Sequence, residues 1–193
     1  MLIYEMFKNA DPRHLAYVGT STVTYGELEK AVDCYRNTLY ALGIRKGDRV
    51  GLYTANCAEF VYVYMGVTSL GAIIVPINNS LVDREVDYIL KDAGAKLLVS
   101  DTPLTVSCDF IELSRLNEKA FSENAPAAPD VSGELSEDDV CALVYTSGTT
   151  GNPKGAMLTH KNQIRNVEQY VQLVPVDEHS RILCVLPMFH CYC

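Results

Sequence analysis

The chain has 193 residues, of which 48% are hydrophobic and 21% charged. This composition is that of an ordinary folded domain and excludes a disordered or fibrous protein. The formal net charge is −8, and residues 117–139 alone hold seven acidic residues and one lysine. Nucleic-acid binding needs clustered Lys and Arg, so no nucleic-acid partner is predicted.

The first predicted helix follows Thr24. Thr24 and Glu27 have the spacing of a capping box, and an apolar stripe continues at helical spacing to Leu42, just before Gly43. A turn then leads to a predicted strand at residues 49–54.

Residues 60–82 carry no charge, and a run of this length can indicate a membrane span. However, Asn56 and Glu59 resemble an N-cap box, helical spacing follows, and Gly71 suits a C-terminal cap. Residues 72–75, closed by a proline, are then a buried strand. A helix and a strand are therefore predicted here, with no transmembrane segment.

The alternation of helices and strands continues. Asp83 is predicted to cap a third helix that ends at Gly94, and residues 96–100 form the next strand. Strands that alternate with amphipathic helices pair in parallel through right-handed crossovers. The predicted fold is therefore α/β, a mostly parallel sheet with helices on both faces.

Three regions are predicted along the chain. Residues 1–113 form an amino-terminal α/β subdomain, and residues 114–139, rich in Pro, Ala, Ser and acids, form a surface linker. Residues 140–193 contain a buried strand, a polar loop, a helix capped by Thr159 and a final strand at 181–186.

Seven scattered cysteines, mostly within apolar runs, predict reduced core thiols and a cytoplasmic protein. The amino terminus has neither the basic nor the apolar region of a secretion signal. His190 lies beside two cysteines, but a second pair of ligands at zinc-site spacing is missing, so no metal ligand is predicted.

The polar loop at residues 146–155 carries the most chemical information. Its four hydroxyls and three glycines offer donors and close backbone approach to phosphate oxygens, and Lys154 adds a positive charge. A Walker P-loop is excluded because Pro153 stands where its second glycine belongs. A hydrolase nucleophile elbow is excluded because Tyr145 and Thr149 flank Ser147 where glycines are required.

Residues 145–155 resemble the signature loop of the adenylate-forming superfamily, which includes acyl-CoA synthetases and amino-acid adenylation domains. The likeness extends through residues 157–160 (Met-Leu-Thr-His) and to residues 186–190 (Leu-Pro-Met-Phe-His). Weaker similarity covers the rest of the chain. The resemblance implies the amino-terminal part of the large domain of such an enzyme.

The implied reaction joins a carboxylic acid to AMP and then to a thiol, with ATP, Mg²⁺ and coenzyme A as small-molecule partners. Lys154 and His190 are implied to act in catalysis, with His190 on the acyl-carboxylate side. The residues implied to hold the β- and γ-phosphates are Thr146, Ser147, Gly148, Thr149, Thr150, Gly151 and Lys154.

The ensemble of segments favours a long-chain fatty-acid–CoA ligase. An amino-acid adenylating enzyme normally places an Asp near the second element, where this chain has Phe189 followed by His190. Aryl-acid adenylation and a non-catalytic nucleotide-binding module stay open, as do a peripheral membrane location and the oligomeric state. The adenine, ribose and metal elements and the second catalytic lysine of the family would lie beyond Cys193, so the chain alone is expected to be inactive.

Overall fold

The computed structural model describes residues 1–122, 125–146, 152–177 and 179–190. Its strands are β1 (Leu15–Val18), β2 (Thr22–Thr24), β3 (Arg49–Tyr53), β4 (Ile73–Pro76), β5 (Leu97–Ser100), β6 (Asp109–Glu112), β7 (Val140–Thr146) and β8 (Lys154–Thr159). Its α-helices are α1 (Tyr25–Ala41), α2 (Ala58–Ser69), α3 (Asp83–Ala93), α4 (Leu113–Ser122) and α5 (His160–Leu173). Short 3₁₀ helices lie at Ile3–Glu5 and Ser132–Glu134.

The main sheet has the strand order β6-β5-β3-β4-β7-β8. All neighbouring pairs from β6 to β7 are parallel, and β8 alone runs antiparallel, beside β7. Strands β1 and β2 form a separate antiparallel pair. The predicted α/β fold with a mostly parallel sheet is confirmed.

Helices cover both faces of this sheet. Val50 and Leu52 of β3 belong to the core shared with α1, α2 and α4. Gly51 points to the other face, where a Cβ atom at this position would lie 2.6 Å from Leu90 of α3. The alternation of side chains along a strand thus separates two cores, and the glycine lets α3 approach closely.

Two of the predicted helix starts are confirmed in detail. The Thr24 hydroxyl accepts a hydrogen bond from the Glu27 amide (3.3 Å), and the Glu27 carboxylate accepts one from the Thr24 amide (2.8 Å). Thr159 likewise caps α5 through the amide of Asn162 (3.1 Å). Side-chain oxygens here satisfy amides that have no partner inside the helix.

Two other predicted caps are wrong. Helix α2 has Cys57, not Asn56, at its N-cap and no side-chain cap there. Helix α3 has Val82 at its N-cap, because Asp83 is already the first helical residue. The Asp83 carboxylate instead accepts a hydrogen bond from the Thr105 amide (2.9 Å), so it links the start of α3 to the loop between β5 and β6.

The predicted linker at residues 114–139 is partly wrong, since its first third belongs to α4. Leu113, Leu116 and Ala120 are buried in the main core. Their spacing makes a short apolar stripe that the polar composition of the whole segment obscures. Further on, the Arg36 guanidinium donates to the Ala128 carbonyl (3.1 Å) and fastens the segment to α1.

Replacement of Leu116 by alanine is expected to lower the free energy of unfolding by about 2–5 kcal/mol, because its side chain is fully buried and truncation leaves a cavity. Chemical denaturation would measure the change. Leu173→Ala, at a leucine that is 83% exposed, is the matched control and should stay within about 0.5 kcal/mol. An equally small loss for Leu116→Ala would support a loose linker.

The final predicted strand, at residues 181–186, is also wrong. These residues lie in no strand, and Ile182, Leu183 and Val185 are 67%, 84% and 74% exposed. A strand requires a neighbouring strand to pair with its backbone, and within the described ranges none lies beside this segment. An apolar, β-branched run is therefore not sufficient for a strand.

The uncharged stretch at residues 60–82 forms α2 and β4, as predicted. No helix in the described part of the chain has the length and apolar character needed to cross a membrane. The cysteines at positions 34, 57, 108, 141 and 184 carry free thiols. Cys141 is buried and Cys34, Cys57 and Cys108 are partly buried, but Cys184 is exposed, so the prediction of a core thiol is wrong for Cys184.

Candidate active site

The predicted phosphate-binding loop connects β7 and β8. These strands pair over their whole length, and the register places Thr146 opposite Lys154. The two ends of the loop are thereby held together at the tip of an antiparallel hairpin. Ser147, Gly148, Thr149, Thr150 and Gly151 lie outside the described residues, so the structure places only Thr146 and Lys154 of the predicted set.

A cleft of about 520 Å³ lies along one face of this hairpin. Apolar side chains make up most of its wall: Ile3, Phe60, Val61, Tyr64, Met65, Pro76, Val144, Leu158, Val167, Met188 and Phe189. Its polar lining residues are Asn162, Gln163, Asn166 and His190. Because Pro76 is the last residue of β4, the cleft lies at the carboxyl ends of parallel strands, where α/β sheets bind ligands.

The loop ends and the cleft share a face of the hairpin. Val144 and Leu158 line the cleft. Thr146 follows Val144 by two residues, and Lys154 precedes Leu158 by four. Since side chains alternate along a strand, Thr146 and Lys154 lie on the same face as these cleft residues. The structure therefore brings His190, Lys154 and Thr146 to one side of the molecule.

The opposite face of the hairpin is fixed to α3. The Tyr145 hydroxyl donates to the Asp92 carboxylate of α3 (2.6 Å). Tyr145 also stands opposite Gly155, where a Cβ atom would lie 3.0 Å from the Tyr145 ring. One tyrosine thus anchors the hairpin beside the loop, on the side away from the cleft.

The wall between α2 and α5 is uncharged. The Tyr64 hydroxyl donates to the Gln163 side chain (2.9 Å), which in turn donates to the Cys141 sulfur (3.1 Å). Burial raises the pKa of Tyr64, and it raises the pKa of Cys141 to about 12. Both groups stay protonated near neutral pH. A neutral, mainly apolar wall suits the hydrocarbon part of a ligand, whereas Lys154 suits an anion.

His160 supports the wall from behind without lining the cleft, and the helical pattern of the sequence gave no sign of this contact. Its ring is 1% exposed, and Nδ1 accepts the backbone N–H of Ile3 (3.1 Å). Ile3 itself lines the cleft. Burial lowers the pKa of His160, although Asp139 and Glu5 act in the opposite direction. The neutral ring therefore holds the amino-terminal segment against the start of α5.

Acid is expected to loosen this contact, because a protonated Nδ1 no longer accepts a hydrogen bond. The folded-state pKa of His160 lies below its ordinary value of 6.5, so the unfolded chain takes up the proton first. The stabilisation is therefore complete above about pH 6.5 and declines as the pH falls toward the folded-state pKa, by at most about 1.4 kcal/mol per pH unit.

Unfolding free energies measured at pH 7.5 and 5.5 in wild type and His160→Asn would test this expectation. The Asn variant keeps an acceptor oxygen but no group that titrates in this range. It should lose less stability between the two pH values than wild type. Equal losses would show that other groups cause the acid sensitivity.

Nowhere in residues 1–122, 125–146, 152–177 and 179–190 do three or more His, Cys, Asp or Glu side chains come together as a metal site.

Comparison with known proteins places this geometry in context. A family model described as AMP-binding enzyme matches residues 5–193. The chain is 37% identical to the long-chain-fatty-acid–CoA ligase FadD13 of Mycobacterium tuberculosis, over 93% of this chain and 38% of that protein. It is 32% identical to 4-coumarate–CoA ligase 3 of Arabidopsis thaliana, over 98% of this chain and 37% of that protein. The chain thus spans less than two fifths of the length of these relatives.

A solved structure agrees with these matches. The o-succinylbenzoate coenzyme A synthetase MenE of Bacillus subtilis, in complex with AMP, superposes with a TM-score of 0.87 at 29% identity. The match covers 98% of this chain and 50% of that chain.

Proposed function

The chain belongs to the family of AMP-binding enzymes, and on this premise we propose that it is part of an acid–thiol ligase. The ligase would activate a fatty acid with ATP and transfer the acyl group to coenzyme A. One observation carries the proposal: the ends of a phosphate-type loop and an apolar cleft lie on the same face of one hairpin. Such a site places a polyphosphate beside a hydrocarbon chain.

The chemistry follows from the two reactants. A carboxylate oxygen attacks the α-phosphorus of MgATP, the bond to the leaving pyrophosphate breaks, and an acyl-adenylate forms. A carboxylate is already ionised at neutral pH, so this step needs alignment and neutralisation of charge rather than a general base. The sulfur of coenzyme A then attacks the acyl carbon, and AMP leaves.

We assign roles to the residues on this basis. Lys154 would neutralise charge that builds up on the departing phosphates, and the backbone and hydroxyls of the loop would orient them. The residues assigned to phosphate binding are Thr146, Ser147, Gly148, Thr149, Thr150, Gly151 and Lys154. His190, at the cleft, would contact the carboxylate end of the acid.

A fatty acid is proposed as the substrate because the cleft wall is largely apolar and uncharged. Similarity to FadD13, a long-chain-fatty-acid ligase, supports this choice. Similarity to ligases for 4-coumarate and o-succinylbenzoate makes aryl acids the competing class. Free thiols in the described part of the chain support a reducing, cytoplasmic location.

Acid-dependent exchange of pyrophosphate into ATP tests the proposal. The assay should use a protein that has the full length of the relatives and contains this chain, called the protein of family length below. The acids to compare are dodecanoate, palmitate, 4-coumarate, o-succinylbenzoate and phenylalanine. We expect the two fatty acids to give the highest kcat/KM. A preference for 4-coumarate or o-succinylbenzoate would make aryl acids the substrate class. ATP binding without pyrophosphate exchange for any acid would support a non-catalytic nucleotide-binding module.

A further inference from the structure

Asn56 lies between β3 and α2, and its side chain makes two hydrogen bonds to the backbone of one distant segment, besides a longer one to the Cys184 sulfur (3.8 Å). Its side-chain nitrogen donates to the Leu186 carbonyl (2.8 Å), and its side-chain oxygen accepts the Met188 amide (2.7 Å). Both partners are backbone groups more than 100 residues further along the chain. The amide side chain thus pairs with this backbone as a neighbouring strand would.

The segment that Asn56 holds leads directly into the cleft. The His190 amide donates to the Pro187 carbonyl (2.9 Å), which closes a turn immediately after Leu186. Met188 and Phe189 pack against the main core, and both line the cleft together with His190. The described residues before this turn, 181–186, lie in no strand. Asn56 therefore fixes the backbone where it turns into the site.

Asn56 is itself held in place by the ends of two parallel strands. The Thr54 hydroxyl and the Ala55 amide both donate to the carboxylate of Asp101 (2.8 Å each). Thr54 follows β3, and Asp101 follows β5. This cross-link fixes the loop that carries Asn56. The position of the Asn56 side chain is therefore set by the ends of β3 and β5.

The start of α2 does not account for Asn56, because Cys57 occupies the N-cap and receives no side-chain cap. Asn56 also does not line the cleft, so it has no contact with a ligand bound there. We propose that Asn56 is a positioning residue: by pairing with the backbone of Leu186 and Met188, it sets the place of Phe189 and His190 in the cleft. Together with the proposed function, this implies that Asn56 controls how the acid is presented to ATP.

Amide hydrogen exchange in the 193-residue chain tests whether Asn56 holds the backbone at Met188. Asn56→Ala should accelerate exchange at the Met188 amide by roughly tenfold, the effect of about 1.4 kcal/mol of lost protection. Asn56→Asp keeps an oxygen acceptor for that amide and should stay closer to wild type. Asn37→Ala is the matched control, since it removes another side-chain acceptor of a distant amide, that of Ala128 (2.9 Å), outside the cleft.

Steady-state assays of pyrophosphate exchange into ATP, with dodecanoate and the protein of family length, test whether Asn56 affects the use of the acid. Asn56→Ala should raise KM for dodecanoate roughly tenfold and leave KM for ATP within about twofold, whereas Asn37→Ala should change neither. If the Met188 amide exchanged at the wild-type rate in Asn56→Ala, the proposal would be overturned. Faster exchange at Met188 with an unaltered KM for dodecanoate would overturn it too. Wild-type protein without any acid-dependent exchange would instead overturn the proposed function, and Met188 protection would then decide the role of Asn56.

Discussion

Replacement of Lys154 by alanine is expected to lower the rate of adenylate formation by roughly 10²- to 10³-fold, the usual effect of removing one group that stabilises charge in a transition state. The register opposite Thr146 places Lys154 at the end of the proposed phosphate loop and on the cleft face. In the proposed role, its charge would act where negative charge changes most during the reaction. Binding of the organic acid should change far less.

Acid-dependent pyrophosphate release in the protein of family length would measure this effect. Lys161→Ala is the control, because Lys161 is also a surface lysine but pairs with Glu137 (2.9 Å) and Asp138 (3.3 Å) and lies in α5, outside the proposed phosphate loop. It should retain nearly full activity. If Lys154→Ala released pyrophosphate at the wild-type rate, the proposed role of Lys154 in charge neutralisation would be wrong.

The 193-residue chain alone is expected to fold but to form no detectable acyl-adenylate. Its buried cores join six strands and four helices, which supports folding. However, the chain spans 38% of the length of FadD13, and we expect the family elements for adenine and ribose to lie in the part of such relatives that this chain does not cover. Without them ATP is not aligned with the acid, and alignment contributes about 7–11 kcal/mol in well-oriented reactions.

Circular dichroism would establish that the chain is folded, and calorimetry with ATP and a pyrophosphate-release assay with several fatty acids would test its activity. We expect weak nucleotide binding and no acid-dependent release. Clear turnover by the purified chain would mean that these 193 residues form a self-sufficient small enzyme.

Elements with strong local signals were predicted correctly from the sequence. Capping boxes and apolar stripes identified α1 and α5, and short apolar runs identified β3, β4, β5 and β7 of the parallel sheet. Strand β6 (Asp109–Glu112), at the edge of that sheet, was missed. Strand β8 was missed because its residues have no clear alternation, and its partner β7 determines its conformation. Helix α4 was missed because composition was weighed over a long segment rather than over the ten residues that form it.

The candidate site was predicted in part. The family was inferred from residues 145–155 and 186–190, and this inference is confirmed by the match over residues 5–193. The roles of Lys154 and His190 stay predictions. Asn56 and His160 were missed as structural contacts because their partners lie 130 and more residues away, where local patterns carry no information.

The packing of Tyr145 on Gly155 changes how the motif at residues 145–155 should be interpreted. Gly155 was counted among the glycines that let a phosphate approach, yet its register partner is an aromatic ring on the face away from the cleft. A Cβ atom there would press on the Tyr145 ring, whose hydroxyl donates to Asp92. The motif therefore combines two requirements, the phosphate contacts proposed for residues 146–154 and the packing of Tyr145 on Gly155, the stem positions that fix the hairpin to α3. A homologue could retain the stem positions after losing the chemistry, so a motif match weighted toward them overstates the case for catalysis.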